Sequence, residues 1–261
     1  MTKSGLEKYK FTGSGNWVKK VICFLLIGTL VGCASNPKND GDQNLTRHER
    51  DKFEGFNRAM FAFNDTMDRW VLKPVAKGYV YIAPEPVEIG VKNFFSNLGE
   101  ITNVFNDVLQ WKWKAAGVDT GRFLINSTVG ILGFFDVAQH MGLEENDGED
   151  FGQTLAKWGV GEGSYLVLPF LGPTTIRDGF GKPIDIFTNP VTYVEPSNTA
   201  VGLTATDLVQ TRAQLLDVED LIQGDKYIMI RSVFLQRRDF LNNDGVVEDD
   251  FGDEDFEDED F

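Results

Sequence analysis

Phe53, Phe56, Met60, Phe63, Met67 and Trp70 recur at steps of three and four residues, the spacing that puts side chains on one face of a helix. This predicts a helix of about five turns over 53–70, with Asn57, Arg58, Asn64, Asp65, Asp68 and Arg69 on its other faces and Pro74 marking a break soon after it. Ile101, Val104, Phe105, Val108 and Leu109 repeat the pattern. Trp111 and Trp113, interleaved with Lys112 and Lys114, end that segment; such a cluster suits an interface, and equally a pair of rings closing a core. From Gly117 to Gly181 glycine is dense and the apolar runs are short, which predicts short helices and a hairpin-like excursion around Gly152–Gly172. Helical spacing returns with Leu208, Leu215, Leu221 and Ile222, and again with Tyr227, Ile230, Phe234 and Leu241, where Asp225 is placed to cap the second segment. The fold class is therefore mainly α. No apolar run between Lys52 and Leu241 approaches the roughly 18 residues of a spanning helix, so no conventional transmembrane span is expected there.

The N-terminal pattern is of another kind. Lys3, Lys8, Lys10, Lys19 and Lys20 precede a short apolar stretch, Val21–Gly32, in the order of a secretory signal. Leu30-Val31-Gly32-Cys33 resembles the bacterial lipobox, which makes residues 1–32 a lipoprotein signal peptide and Cys33 the lipidated first residue of the mature chain. A Cys23–Cys33 disulfide is the alternative, but Cys23 lies in the segment to be removed. Ala34, where an Asp would resemble the inner-membrane retention signal, leaves the outer membrane as the default destination. Residues 33–51 are polar and read as a tether, 52–241 as the folded domain and 242–261 as an acidic disordered tail.

Charge sharpens that division. The chain of 261 residues has a net charge of −15, yet the run from Asp244 to Asp260 alone supplies eleven carboxylates and no cation, so the remainder carries only −4. The domain has no basic stripe of the kind nucleic-acid binding requires. In the tail, Phe251, Phe256 and Phe261 stand five apart, a period of neither helix nor strand. The 21 phenylalanines suit a core, a protein contact or a lipid boundary alike.

Enzymatic chemistry finds few footholds. His48 lies in the tether, leaving His140, four residues after Asp136, as the one imidazole base for Ser–His machinery; a partly buried histidine at a helix end is the plainer reading. Gly159–Ser164, "GVGEGS", has no following lysine and does not make a phosphate loop. Calcium-loop spacing around Gly148 and Gly245 puts Leu143, Thr154, Phe240 and Phe251 in ligand positions, so no metal site is expected. No catalytic residue and no cofactor motif are assigned, which favours binding or transport over catalysis.

Four segments then bear on family: "GFNRAMFAFND" (Gly55–Asp65), "RFLINSTVGILGFFDVA" (Arg122–Ala138), the stretch Asp150–Asp178, and Thr211–Phe240 with "YIMIRSVFLQRRDF". In this order they closely resemble the MlaA (VacJ) family of outer-membrane phospholipid-transport lipoproteins. The resemblance implies a single ring-like domain of amphipathic helices lying in the inner leaflet of the outer membrane beside a trimeric porin. It further implies a channel that takes mislocalised phospholipid from the outer leaflet and passes it to a periplasmic MlaC-like carrier, with no bond broken. By that match, Phe53, Phe56, Met60, Phe63, Met67 and Trp70 are candidates for the membrane rim, and Gly152–Gly172 for a flexible hairpin lining or gating the channel. Asn57, Arg58, Asn64, Arg122, Lys157, Gly159, Gly161 and Gly163 are candidates for the channel or its gate. The competing readings are a structural lipoprotein that braces a porin without a lipid channel, and a phospholipase, which would need Asp136, His140 and a serine within hydrogen-bond reach.

Overall fold

The computed structural model describes residues 50–219 and 224–246. Cys33, the tether before Arg50, His48, Leu221, Ile222 and the tail phenylalanines lie outside the described residues.

The first predicted helix is longer than its apolar pattern. Helix α1 (Glu54–Met67) runs through a π turn (Asp68–Leu72) into α2 (Lys73–Ile82). Pro74 therefore does not end the helix. Its ring excludes a normal hydrogen bond and crowds the preceding turn, and the chain accommodates it by widening that turn, with the Lys73 N–H donating five residues back to Asp68. After Ala83-Pro84 come α3 (Glu85–Leu109) and, beyond the Trp/Lys turn, α4 (Trp113–Thr128), a longer helix than the glycine density predicts. Short α5 (Val137–His140) and α6 (Phe151–Lys157) follow; the Asp136 and Asp150 carboxylates cap them by accepting from Gln139 N and Gln153 N. The hairpin, β1 (Tyr165–Leu168) and β2 (Gly172–Thr175), is antiparallel and shorter and later than 152–172, because the first part of that span is helical. Helices α7 (Ile176–Thr188), α8 (Ser197–Gln214), α9 (Leu216–Glu219) and α10 (Lys226–Asn242) complete the described chain. Asp225 caps α10 as the sequence predicts, accepting from Tyr227 N and Ile228 N.

The packing follows a closed circuit, in keeping with the ring-like domain that the resemblance implies. α1 packs on β1 and continues into α2; α2 meets α8, α8 meets α3, α3 meets α6, α6 meets α10, and α10 returns to β2 of the same hairpin. α4 lies along α3, and α7 along α6. At the last crossing the backbones nearly touch: a Cβ on Gly181 would stand 2.8 Å from Gly152 N, a close approach only glycine permits.

Side-chain distribution is inverted with respect to a water-soluble globule. The small apolar core, Tyr165, Val167, Tyr227 and Leu235 with Met60, Phe61, Ile228 and Phe234 against it, joins the hairpin to α1 and α10. Elsewhere the buried residues are mainly polar: Glu100, Asp107, Asp119 and Arg122 line the α3–α4 contact, Asn106 accepts from Thr154 of α6, and Asn126 donates to Asp136 at the start of α5. Buried polar groups persist where they pair. Arg122 donates to Glu100 at 2.7 Å, to Asp136 at 3.1 Å and to the Leu143 carbonyl at 2.7 Å.

Candidate functional site

On α1, Phe53, Phe56, Phe63, Met67 and Trp70 are exposed, Trp70 by 77%, whereas Met60 turns in against the core. Exposed apolar side chains continue through Val71 in the π turn and Val75 and Val80 on α2 to its end at Tyr81 and Ile82, 90% and 80% exposed. Surface apolar residues are ordinary when scattered; a continuous helical face of them marks contact with something apolar. No described helix is long and apolar enough to cross a membrane.

Backbone strain accompanies this exposure. Among the described residues, five non-glycine residues adopt positive φ, and four of them, Trp111, Ile131, Leu132 and Phe170, hold a large exposed apolar side chain. The left-handed region is costly for such residues, most of all for β-branched Ile131. Trp111 also meets Trp113 edge to face at 5.7 Å. The pair is exposed, beside Lys112, whose ammonium lies 2.8 Å from Glu149 and also pairs with Asp244, so these rings do not close a core.

A cavity of about 460 Å³ opens among α1, the π turn, α8, α9 and α10. Phe61, Leu215, Val218, Met229, Val233 and Phe234 make it apolar. Along one wall runs a row of charges of alternating sign. Asp65 pairs with Lys226 at 2.7 Å, Lys226 with Glu219 at 3.4 Å, Glu219 with Arg212 at 2.6 Å, and Arg212 grips Asp68 through two hydrogen bonds of 2.7 and 2.9 Å. Lys73 adds a third cation to Glu219 at 3.0 Å. The hydrogen bond from Arg212, with help from Lys73 and Lys226, holds the Glu219 carboxyl down at about 2. Hydrogen bonding to Asp68 outweighs burial and raises the Arg212 guanidinium. For Asp65, burial is outweighed by Lys226 and Arg69, which keep it below the usual carboxylate range.

The residues singled out from the sequence do not converge on one place. Asn64 lines the cavity, and its amide also donates to the Leu168 carbonyl at 2.9 Å and accepts from Phe170 N at 2.8 Å. One heptad earlier, buried Asn57 donates to the Tyr165 carbonyl at 3.0 Å and to Asp51 at 2.8 Å, and accepts from Val167 N at 2.9 Å. Arg58 bonds Glu54 and Asp225 and lies 4.5 Å over the Tyr227 ring. Arg122, 2% exposed, is held in the α3–α4 contact. Lys157 ends α6 in solvent, 3.5 Å from Asp244. Gly159 and Gly163 take positive φ in the exposed link to β1, and Gly161 between them has open space around it. Of the cavity's own charges, Asp65 and Asp68 stand among the polar positions of the α1 periodicity, whereas Arg212, Glu219 and Lys226 come from later, separate segments and escape sequence reasoning.

Among the described residues, Asp136 and His140 do not form the triad geometry of a phospholipase. The Asp136 carboxylate is taken by Arg122, Asn126 and the Gln139 N–H, while His140 Nδ1 lies 3.0 Å from the Asp136 backbone carbonyl. His140 is exposed rather than partly buried, since α5 ends there at the surface. Among the described residues, no group of three or more His, Cys, Asp or Glu side chains is arranged to hold a metal.

One buried acid pair stands apart from the cavity. Asp107 and Asp119, both fully buried, face one another across α3 and α4, and no protein donor meets either oxygen of Asp107. Burial, reinforced by Asp119 and then Glu149, pushes the Asp107 carboxyl up to about 8, and burial raises Asp119 as well. The pair therefore shares a proton at neutral pH.

A helical circuit with charge inside, an apolar outer face and an amphipathic cavity defines a class: a helical protein built to lie against an apolar medium. Within that class, the chain belongs to the MlaA lipoprotein family, whose model matches residues 49–241. It is 38% identical over 228 residues to the intermembrane phospholipid transport system lipoprotein MlaA of Escherichia coli strain K12, covering 85% of this chain and 88% of that protein. To the protein of the same description from Haemophilus influenzae it is 35% identical over 226 residues, covering 83% and 87%. A solved chain described under "Structural basis for maintenance of bacterial outer membrane lipid asymmetry" superposes with a TM-score of 0.66 at 36% identity, over 74% of this chain and 99% of that one.

Proposed function

We propose that the protein is an outer-membrane lipoprotein that takes mislocalised phospholipid out of the outer leaflet and hands it to a periplasmic carrier, without chemistry on the lipid. The observation that carries this reading is the inverted side-chain distribution around an amphipathic cavity. Exposed apolar side chains on α1 and α2 supply a face that acyl chains can cover, as in monotopic proteins. The paired charges inside keep the interior stable without an apolar filling. The cavity joins an apolar lining to a polar wall, the two environments that a lipid tail and its headgroup require. A brace for a porin has no use for such a cavity, which favours transport over the structural reading. Cys33 anchors the body to the same leaflet, and the rim supplements the anchor, since one acylated site binds only marginally.

The test is deletion of the gene followed by labelling of surface-exposed phospholipid. Deletion is expected to raise outer-leaflet phospholipid, the intact chain to restore it, and a Cys33→Ala chain to fail. Unchanged surface phospholipid in the deletion strain overturns the proposal.

A further inference from the structure

The cavity lining carries three carboxylates, Asp65, Asp68 and Glu219, and two cations, Arg212 and Lys226; Lys73 and Arg69 join from beside the lining, so that every charge of the row has a neighbour of opposite sign. In an apolar recess a fully paired row neither attracts nor tolerates an unpaired ion, because an added charge must give up water without gaining a partner. A group carrying both signs is different: it can enter the row by exchanging partners and leave no charge alone.

We propose that this row selects phospholipids whose headgroup combines a phosphate with a primary ammonium, in preference to headgroups of net negative charge. The point of exchange is Lys226. Its contact with Glu219, at 3.4 Å, is the longest in the row, and a phosphate oxygen is a stronger acceptor for an ammonium than a carboxylate held at that distance. With the phosphate on Lys226, the headgroup ammonium comes within reach of Asp65, whose second partner, Arg69, is largely exposed and free to turn to water. A primary ammonium offers three N–H donors there; a quaternary one offers none and so ranks lower. The acyl chains lie against Phe61, Leu215, Met229 and Phe234. This inference rests on the phospholipid-transport reading and adds the headgroup class to it.

The experiment uses the full chain, purified in detergent, incubated with mixed micelles containing equal phosphatidylethanolamine, phosphatidylcholine and phosphatidylglycerol, repurified, and extracted for lipid quantification. Phosphatidylethanolamine is expected to exceed phosphatidylglycerol by about threefold, the discrimination that one partly exposed ion pair confers. Asp65→Asn and Glu219→Gln each remove one negative charge from opposite sides of Lys226, and both are expected to shift the bound lipid toward phosphatidylglycerol. Circular dichroism identifies a variant that has not folded. Bound lipid that mirrors the micelle composition in the wild type, or variants with unshifted composition, overturns headgroup selection while leaving transport standing. Folded protein that retains no phospholipid overturns the transport reading and headgroup selection with it.

Discussion

Raising the pH should loosen the α3–α4 contact through the Asp107–Asp119 pair. In the folded protein the pair keeps a proton until the pH passes about 8; in the unfolded chain an aspartate releases it near 3.9. The sign follows from proton counting. Between those values the folded state binds one more proton than the unfolded state, so stability falls as pH rises. The contribution is full below pH 4, declines across the window and is gone above pH 8. Well below the folded pKa the slope is about 1.4 kcal/mol per pH unit, and it halves at pH 8, so the loss between pH 6 and pH 8 is about 2 kcal/mol. For a domain of this size that is a fall in Tm of about 4–8 °C. Asp107→Asn is the perturbation: its amide donates to the Asp119 carboxylate at every pH, so the variant should lose the slope and melt higher than wild type at pH 8. Melting followed by circular dichroism in one detergent at pH 6, 7 and 8 reads both curves. A wild-type Tm independent of pH, or an Asp107→Asn variant that keeps the slope, refutes the shared proton.

Two further outcomes follow from contacts on α1. Asn57→Leu leaves the Tyr165 carbonyl, the Val167 N–H and an Asp51 oxygen without their buried partner and should cost about 3 kcal/mol, read by denaturant titration; a loss below the error of that titration refutes the role assigned to this amide. In an unlipidated Cys33→Ala background, Phe56→Ser with Trp70→Ser should lower partition onto phospholipid vesicles about tenfold or more, measured by flotation, and unchanged partition excludes these side chains from the membrane rim.

What could be read in the sequence was whatever is local. The 3.6-residue recurrence along Phe53–Trp70, the cap at Asp225 and the helical spacing of α10 are settled within a few residues of chain, and the structure reproduces them. Pro74 misleads because a proline specifies a missing donor, not how the chain absorbs it, and here a π turn does so. The polar interior is illegible for a different reason. Arg122 finds Glu100, Asp136 and Leu143 on separate segments, and nothing in a residue's identity names its distant partner. Nor does an exposed Phe differ in letter from a buried one; the inversion becomes visible only when the circuit closes. The cavity's charge row combines both difficulties, joining α1 to residues more than 140 positions later.

The two asparagines of α1 have a geometric consequence. Asn57 and Asn64 are seven residues apart on a helix, a rise of about 10.5 Å, and the β1 carbonyls to which they donate, Tyr165 and Leu168, are three apart, about 10 Å of extended chain. Helix and hairpin are thus commensurate, like two rulers read against each other at two marks. A single inserted or deleted residue between 58 and 63, or at 166 or 167, brings one mark out of step while the other still holds, so the chain length within this frame is fixed from both sides. Variation in length should be borne instead by the hairpin's tip, beyond Phe170, where no asparagine is counting.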